Sequence, residues 1–332
     1  MVAQIDAAFA KARPWKLWPR LLAYVLFEGR PLTTRGRWIN PLVFAGYRLW
    51  SALPLRGREL RPIFILGVGR SGTTILGTIL ALHRDVGYLN EPKALWHAAL
   101  GDDDLIGSYS DQPGRYRMSG TDAGVKAVRS LHRNYRAFLW LSGSRRVVDK
   151  YPELLFRSAM IDAAFPGAKK ILLLRNGADT CQSIAAWSEK LGGKDGGWWG
   201  RDRQKWHLLV EQLVAPDSYF APALAQIRVL TRHVDMAAVE WIVTMREAAR
   251  LQAKGASGLL VVRYEELVHA PRRVLSDILA FCDLPHDDIM LRFGARVLDP
   301  RAAHPCPDLD AALVPLFAET MREFGYIRNE SG

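Results

Sequence analysis

Residues 63–82 read IFILGVGRSGTTILGTILAL. The run Ile63-Phe64-Ile65-Leu66 is wholly apolar and stops at Gly67, which is the composition of a short parallel strand buried on both faces. A glycine-rich turn follows. From Thr74 to Leu82 the chain is apolar again, at a length that suits a helix. Strand, glycine-rich turn and helix in that order predict a phosphate-binding unit. The N–H groups of the turn and the free N–H groups at the helix start converge on one anion.

Outward from this unit the chain alternates. Residues 145–150 (RRVVDK) read as a second strand, 170–174 (KILLL) as a third and 259–262 (LLVV) as a fourth. Helical patterns cover 153–165, ended by Pro166-Gly167, then 178–187, 234–253 and 271–281. Buried strands alternating with helices predict an α/β fold of three layers around a central parallel sheet. No internal repeat and no second core is evident. The expected division is a basic, Trp-rich arm over residues 1–60 and one catalytic-sized domain over 61–332.

GVGRSGTT (67–74) compares with the nucleotide-binding pattern GxxxxGK[ST]. Gly67, Gly72 and Thr74 fall in register, but Thr73 occupies the lysine position. A kinase uses that lysine on the β- and γ-phosphates. Without it the loop suits a phosphate that is held and not cleaved. Gly69 and Gly72 let the backbone approach, and Arg70, Ser71, Thr73 and Thr74 add side-chain donors. A P-loop kinase using Asp149 for magnesium, and a non-catalytic nucleotide-binding module, are the competing readings.

GVGRSGTT after an apolar strand resembles the 5′-phosphosulfate loop of sulfotransferases. LLLRNGADTCQSIAAW (172–187) resembles that family's 3′-phosphate motif, a strand followed by an arginine and a serine eight residues later, here Arg175 and Ser183. VVRYEELVHAPRRVLSDILAFCDLP (261–285) resembles the segment that closes the donor site with a tyrosine, here Tyr264, and EFGY (323–326) is similar to the family's ending. The resemblance runs from about residue 62 to 326. It implies the P-loop-like sulfotransferase fold and transfer of a sulfuryl group from 3′-phosphoadenosine 5′-phosphosulfate to a hydroxyl or amine, with no metal. It also implies Glu91, in LNEP (89–92), as the base, because no histidine follows Lys150 as it does in the histidine-base type. Lys150 and Arg70 would stabilise the leaving phosphate. The Arg-Lys-Gly element of the soluble class is missing; Arg296 and Arg301 are the nearest substitutes. Trp187 stands where some relatives have another arginine.

The formal net charge is +11. Residues 1–60 hold ten Lys or Arg against three Asp or Glu, so most of the excess sits in the arm. This concentration disfavours a nucleic-acid reader, which more often carries its charge on the folded body. Trp15, Trp18, Trp38 and Trp50 alternate there with Lys16, Arg20, Arg35, Arg37 and Arg48 around the apolar stretches Leu21–Phe27 and Pro41–Leu55. Two readings compete: an interfacial segment touching a membrane, or a helical arm packed on the domain with its basic side chains solvated. Cys181, Cys282 and Cys306 match no zinc or disulfide pattern, and the histidines are scattered. No apolar run approaches a membrane span. A cytoplasmic enzyme, peripheral to the membrane, is expected. The loop 192–200 (GGKDGGWWG), with Trp198, Trp199, Arg201, Arg203 and Trp206, is read as a mobile lid over an acceptor of hydrophobic or lipid-like character.

Overall fold

A computed structural model describes residues 3–28, 40–55, 59–191, 197–255, 258–300 and 302–327. Arg35, Arg37 and Trp38 of the arm, residues 192–196 of the expected lid, and Arg301 fall outside them. Five strands form the centre: β1 (Ile63–Gly67), β2 (Val86–Asn90), β3 (Arg146–Lys150), β4 (Lys169–Leu174) and β5 (Leu259–Arg263). All neighbours pair in parallel, in the order β2-β3-β1-β4-β5. The expected three-layer α/β architecture is therefore present, with one strand more than the sequence pattern predicts.

Period-two alternation divides the core. Ile63 and Ile65 of β1 face a cluster with Leu76, Ile79 and Leu80 of the helix Thr73–Ala81 and Leu275 and Ile278 of the helix Pro271–Phe281. Phe64 and Leu66 face the opposite cluster, with Leu131, Tyr135 and Phe138 of the helix Val125–Ser142 and Trp241 of the helix His233–Ala253. β1 is fully buried, as a central parallel strand covered by helices on both faces must be. The expected helix over 153–165 is instead a 3-10 turn, Pro152–Arg157, followed by a short helix, Ser158–Ala164. The break between the two falls at Arg157, whose φ of −121° leaves the helical region, and its side chain is fully buried against Asp103 at 2.6 Å.

β2 is the unpredicted strand, and it lies at the sheet edge. Its sequence, VGYLN, lacks the apolar run that marks the others. Gly87 is needed because a Cβ there would come within 2.7 Å of the Phe138 ring. The outer backbone groups of an edge strand need partners when covered. The basic arm supplies them. Lys16 Nζ donates to the Val86 carbonyl (2.6 Å), Arg20 donates to the Tyr88 carbonyl (2.7 Å), and the Asn90 N–H donates to the Glu28 carboxylate (2.7 Å). Arg20 and Glu28 pair at 2.7 Å, both buried. Burial, and then the charge of Arg13, pushes the Lys16 ammonium down to about 7. The reading of an arm with solvated basic side chains is thus corrected at three positions: Arg13, Lys16 and Arg20 are buried, and Lys16 and Arg20 hold β2 in place. Among the described residues no helix is long and apolar enough to cross a membrane.

Arg13 also clamps Asp287 through two bonds of 2.7 and 2.8 Å. Burial opposes ionisation of Asp287, but the Arg13 fork and the N–H groups of Arg84 and Met290 outweigh it and bring the carboxyl down to about 2. In an unfolded chain an aspartate titrates near ~3.9. The stabilisation from this clamp is therefore complete above about pH 4 and is lost as the pH falls toward about 2. Arg13→Ala leaves the buried carboxylate unpaired. It should cost about 3–5 kcal/mol and flatten the acid limb of the unfolding curve. Chemical denaturation at a series of pH values reads both effects, and an unchanged acid limb would show that the clamp is not what Asp287 titrates against.

Candidate functional site

The turn after β1 has no room for side chains at three of its positions. Gly67 lies at φ +141° with the Leu173 carbonyl oxygen 2.4 Å from where a Cβ would be. Gly72, at φ +96°, faces the Tyr264 ring at 2.4 Å, and Gly69 faces the Trp198 ring at 2.2 Å. Arg70 is itself in the left-handed region, at φ +64°. The helix Thr73–Ala81 starts at this turn, so its first N–H groups point into the cleft, and Thr73 and Thr74 line it. Ser71 behaves differently from the sequence expectation. Its hydroxyl donates to the Val68 carbonyl (2.6 Å), its side chain is fully buried, and it is absent from the cleft lining, so it shapes the loop from inside.

The second motif meets the first. Arg175 follows β4 and donates to the Arg70 carbonyl (2.8 Å). Ser183, on the helix Gly177–Leu191, accepts from Arg70 Nε (3.1 Å). Tyr264 follows β5 and places its ring beneath Arg175, 4.6 Å from the guanidinium. Residues 70, 175, 183 and 264, nearly two hundred positions apart in the chain, thus line one cleft of about 1450 Å³ at the carboxyl ends of the strands. Burial, and then the charge of Arg175, lowers the Arg70 pKa from its usual value. Two cations held this close make the cleft a receptor for multiply charged anions. Trp187 lies on the outer side of Arg70, 5.0 Å from it, and is 41% exposed. It covers a cation and does not fill core.

Glu91 and Lys150 come together at the neighbouring strand ends. The Glu91 N–H donates to the Lys150 carbonyl (2.7 Å), continuing the β2–β3 ladder by one residue. Glu91 then turns into the left-handed region, at φ +52°. Its carboxylate accepts from Lys150 Nζ, whose side chain is almost fully buried. A glutamate at such φ is uncommon, and strain of this kind concentrates where a side chain must be aimed. Asp149 points the other way. It accepts from Trp96 (2.9 Å) and Tyr135 (2.5 Å) in the core and does not line the cleft. Burial raises it to about 7 against those two donors. It is not placed to carry magnesium, which removes the support for the kinase reading.

Sequence reasoning missed a buried quartet on the far wall. Lys205 bridges Glu240 (2.7 Å) and Glu153 (3.4 Å), and Lys93 reaches Glu153 at 3.1 Å. Burial opposes ionisation of Glu153, but Lys93 and Lys205 hold it at about 2. The available signal was Glu240, a charge inside the apolar stretch of the helix His233–Ala253. Trp198 belongs to this wall, donating to Glu240 (2.7 Å) and lying over Lys205 at 4.5 Å. The other tryptophans of the expected lid are core: Trp199 and Trp206 are buried edge to face, and Trp199 donates to His233 (3.0 Å). Arg201 and Arg203 do not line the cleft; Arg201 lies 3.6 Å from Asp111. Arg296 is likewise outside, stacked 5.6 Å over Phe293.

The contact between Trp198 and Gly69 can be tested by a cycle. Gly69→Ala forces the indole off the loop and should weaken binding of a nucleotide anion. Trp198→Ala removes the obstacle, so Gly69→Ala made in that background should cost much less. Calorimetric affinities of the four proteins that simply add would show that the two residues do not meet.

The family model described as "Sulfotransferase family" matches residues 62–288. A Drosophila melanogaster protein-tyrosine sulfotransferase is 24% identical over 239 residues, 70% of this chain and 40% of its own length. An uncharacterised Aquifex aeolicus protein is 24% identical over 255 residues, 72% of this chain and 28% of its own. The chain thus spans well under half the length of these curated relatives. Among solved structures, a Mycobacterium tuberculosis sulfotransferase aligns at TM-score 0.48 and 17% identity, covering 98% of this chain and 99% of the other. A mouse sulfotransferase complexed with PAP aligns at 0.38 and 15%, covering 86% and 84%. The family match takes in the phosphate loop, Glu91, Lys150, Arg175, Ser183 and Tyr264, and with it the chain belongs to the sulfotransferase family.

Proposed function

We propose that the cleft binds 3′-phosphoadenosine 5′-phosphosulfate and transfers its sulfuryl group to a hydroxyl borne on an apolar or aromatic body. The observation that carries this is the joining of two anion-binding points by Arg70. The loop N–H groups and the helix start receive the 5′-phosphosulfate. Arg175 and Ser183, bonded to Arg70's carbonyl and guanidinium, receive the 3′-phosphate. Thr73 in place of a lysine fits a 5′-phosphate that departs intact with the nucleotide.

Glu91 and Lys150 divide the chemistry. The acceptor oxygen attacks sulfur as its proton passes to the Glu91 carboxylate. The bond from sulfur to the 5′-phosphate oxygen breaks, and 3′-phosphoadenosine 5′-phosphate leaves with the electron pair. Lys150, beside Glu91, stabilises the negative charge that grows on the leaving oxygen. The ion pair aims Glu91 before the acceptor arrives. Trp198, Phe156 and Ile106 give the acceptor wall its apolar surface. The quartet of Glu153, Glu240, Lys93 and Lys205 neutralises itself, so it favours an acceptor body without net charge next to it. The phenol of a tyrosine, the acceptor named for the Drosophila relative, is one hydroxyl of this kind.

Two measurements test the reading. In calorimetric titration, 3′-phosphoadenosine 5′-phosphate should bind much more tightly than ATP with magnesium. Arg175→Ala should weaken it by roughly ten- to a hundredfold, the worth of a charge-assisted hydrogen bond. A preference for ATP with magnesium overturns the donor assignment. Glu91→Gln should keep the nucleotide affinity and lose about 10²–10⁴ in kcat with any acceptor that turns over; an active Glu91→Gln enzyme would remove Glu91 from the role of base.

A further inference from the structure

A second cavity, of about 620 Å³, opens at the opposite end of the sheet from the cleft. Arg61, just before β1, and Arg145 and Arg146, at the start of β3, line it together with Arg136 and Trp140 of the helix Val125–Ser142. One acid, Glu59, shares the lining and, among the described residues, pairs with Arg61, at 3.2 Å on the exposed rim. Inside, Arg136 Nε, Arg146 Nη2 and Ser144 Oγ are buried with no hydrogen-bond partner among the described residues. Buried guanidinium donors are normally satisfied. Arg146 is held by the carbonyls of Arg61 (2.8 Å) and Cys282 (2.9 Å) and meets no carboxylate among the described residues. Four arginines against a single acid in one lining are the chemistry of a site for an anion with several acceptor oxygens.

The surface around this cavity is apolar. Trp140 is 71% exposed at its mouth. Trp18 donates to the carbonyl of Leu141, the next residue of the same helix (3.0 Å), and is itself 59% exposed. Trp18 belongs to the outer stripe of the arm, with Trp15, Leu21, Val25 and Leu26, all more than two-fifths exposed. The inner stripe is the one buried on β2: Lys16, Arg20, Ala23 and Phe27. The arm is thus bound by its basic face and presents its Trp-rich face outward. Exposed indoles beside apolar side chains and cations have the composition of a membrane-surface contact. Arg145, 84% exposed at the cavity rim, adds a positive charge that is only loosely engaged, by Asp85 at 3.6 Å.

We infer that this face docks on an anionic phospholipid bilayer, with the outer stripe and Trp140 in the interfacial layer and one lipid phosphate seated among Arg136, Arg145 and Arg146. The inference does not depend on the sulfuryl donor, because the cavity and the cleft lie at opposite ends of the strands. Deleting the arm is not a clean test, since its inner face completes the edge of β2. The substitutions are therefore placed in the cavity. Arg136 makes no hydrogen bond or ion pair to lose among the described residues, and Arg145 only a long contact to Asp85 at 3.6 Å.

The full chain is floated with vesicles of phosphatidylcholine alone and of phosphatidylcholine with phosphatidylglycerol. The expected result is binding to the second and little to the first. The double variant Arg136→Gln/Arg145→Gln should lose about tenfold or more of that affinity, on the order of what two juxtamembrane cations contribute, while its affinity for 3′-phosphoadenosine 5′-phosphate stays unchanged. Trp18→Ser should weaken binding to the same vesicles. No flotation with either vesicle overturns the inference, and so does equal flotation of wild type and double variant. Inorganic phosphate is titrated in parallel. Arginine-dependent phosphate binding without flotation would assign the cavity to a soluble anion and overturn the bilayer as its source.

Discussion

The close approach of side chains to the backbone of residues 67–72 is the constraint on which the site depends. A Cβ at 67 would strike the β4 backbone, one at 69 would strike Trp198 and one at 72 would strike Tyr264. Because these three positions are glycine, the loop can lie against β4, the acceptor wall and the segment after β5 together. That contact makes the end of β1 a common floor for motifs far apart in sequence. Arg70 then links them, its carbonyl held by Arg175 and its guanidinium held by Ser183. The left-handed conformation of Arg70 carries a modest backbone cost, which these bonds and the cover of Trp187 offset.

The position of Glu91 depends on a second chain of contacts, which begins in the arm. Lys16, Arg20 and Glu28 complete the hydrogen bonding of the outer edge of β2. β2 in turn fixes where the chain leaves the sheet. One residue later the Glu91 N–H is still in register with β3, while its φ has already left the strand region. A strand with a loose outer edge would fray from the end that carries Glu91. Lys16 and Arg20 therefore act on the site mechanically, two steps removed, through β2.

Most of the fold was legible because a buried parallel strand has an unmistakable composition. IFILG, KILLL and LLVV announce themselves, and the glycine pattern after the first of them identifies the phosphate loop. β2 was not legible for a physical reason: an edge strand satisfied by side chains needs no continuous apolar run, and VGYLN has none. The roles of the tryptophans were illegible for another reason. Trp198 and Trp199 are adjacent, yet one faces the cleft and the other the core. Only the path of the backbone after Gly197 decides which. Ser71 shows the same limit, since a hydroxyl in a phosphate loop can bond the loop itself as readily as a ligand.

The distribution of the +11 charge separates structure from function more sharply than its total does. Arg13 faces Asp287, Arg20 faces Glu28, Arg157 faces Asp103, and Lys93 and Lys205 face Glu153 and Glu240. Each of these buried cations has its carboxylate, as burial of charge demands. Arg70 and Arg175 depart from that rule in the cleft: they contact each other and their nearest partners are a serine and a carbonyl. Arg136 and Arg146 depart from it in the cavity at the other end of the sheet. Lys16 is buried without a carboxylate too, but it is sealed against the Val86 carbonyl and its pKa falls to about 7. Arginines left over in a concave, open place are instead the physical mark of an anion supplied from outside, and they occur at both ends of the strands.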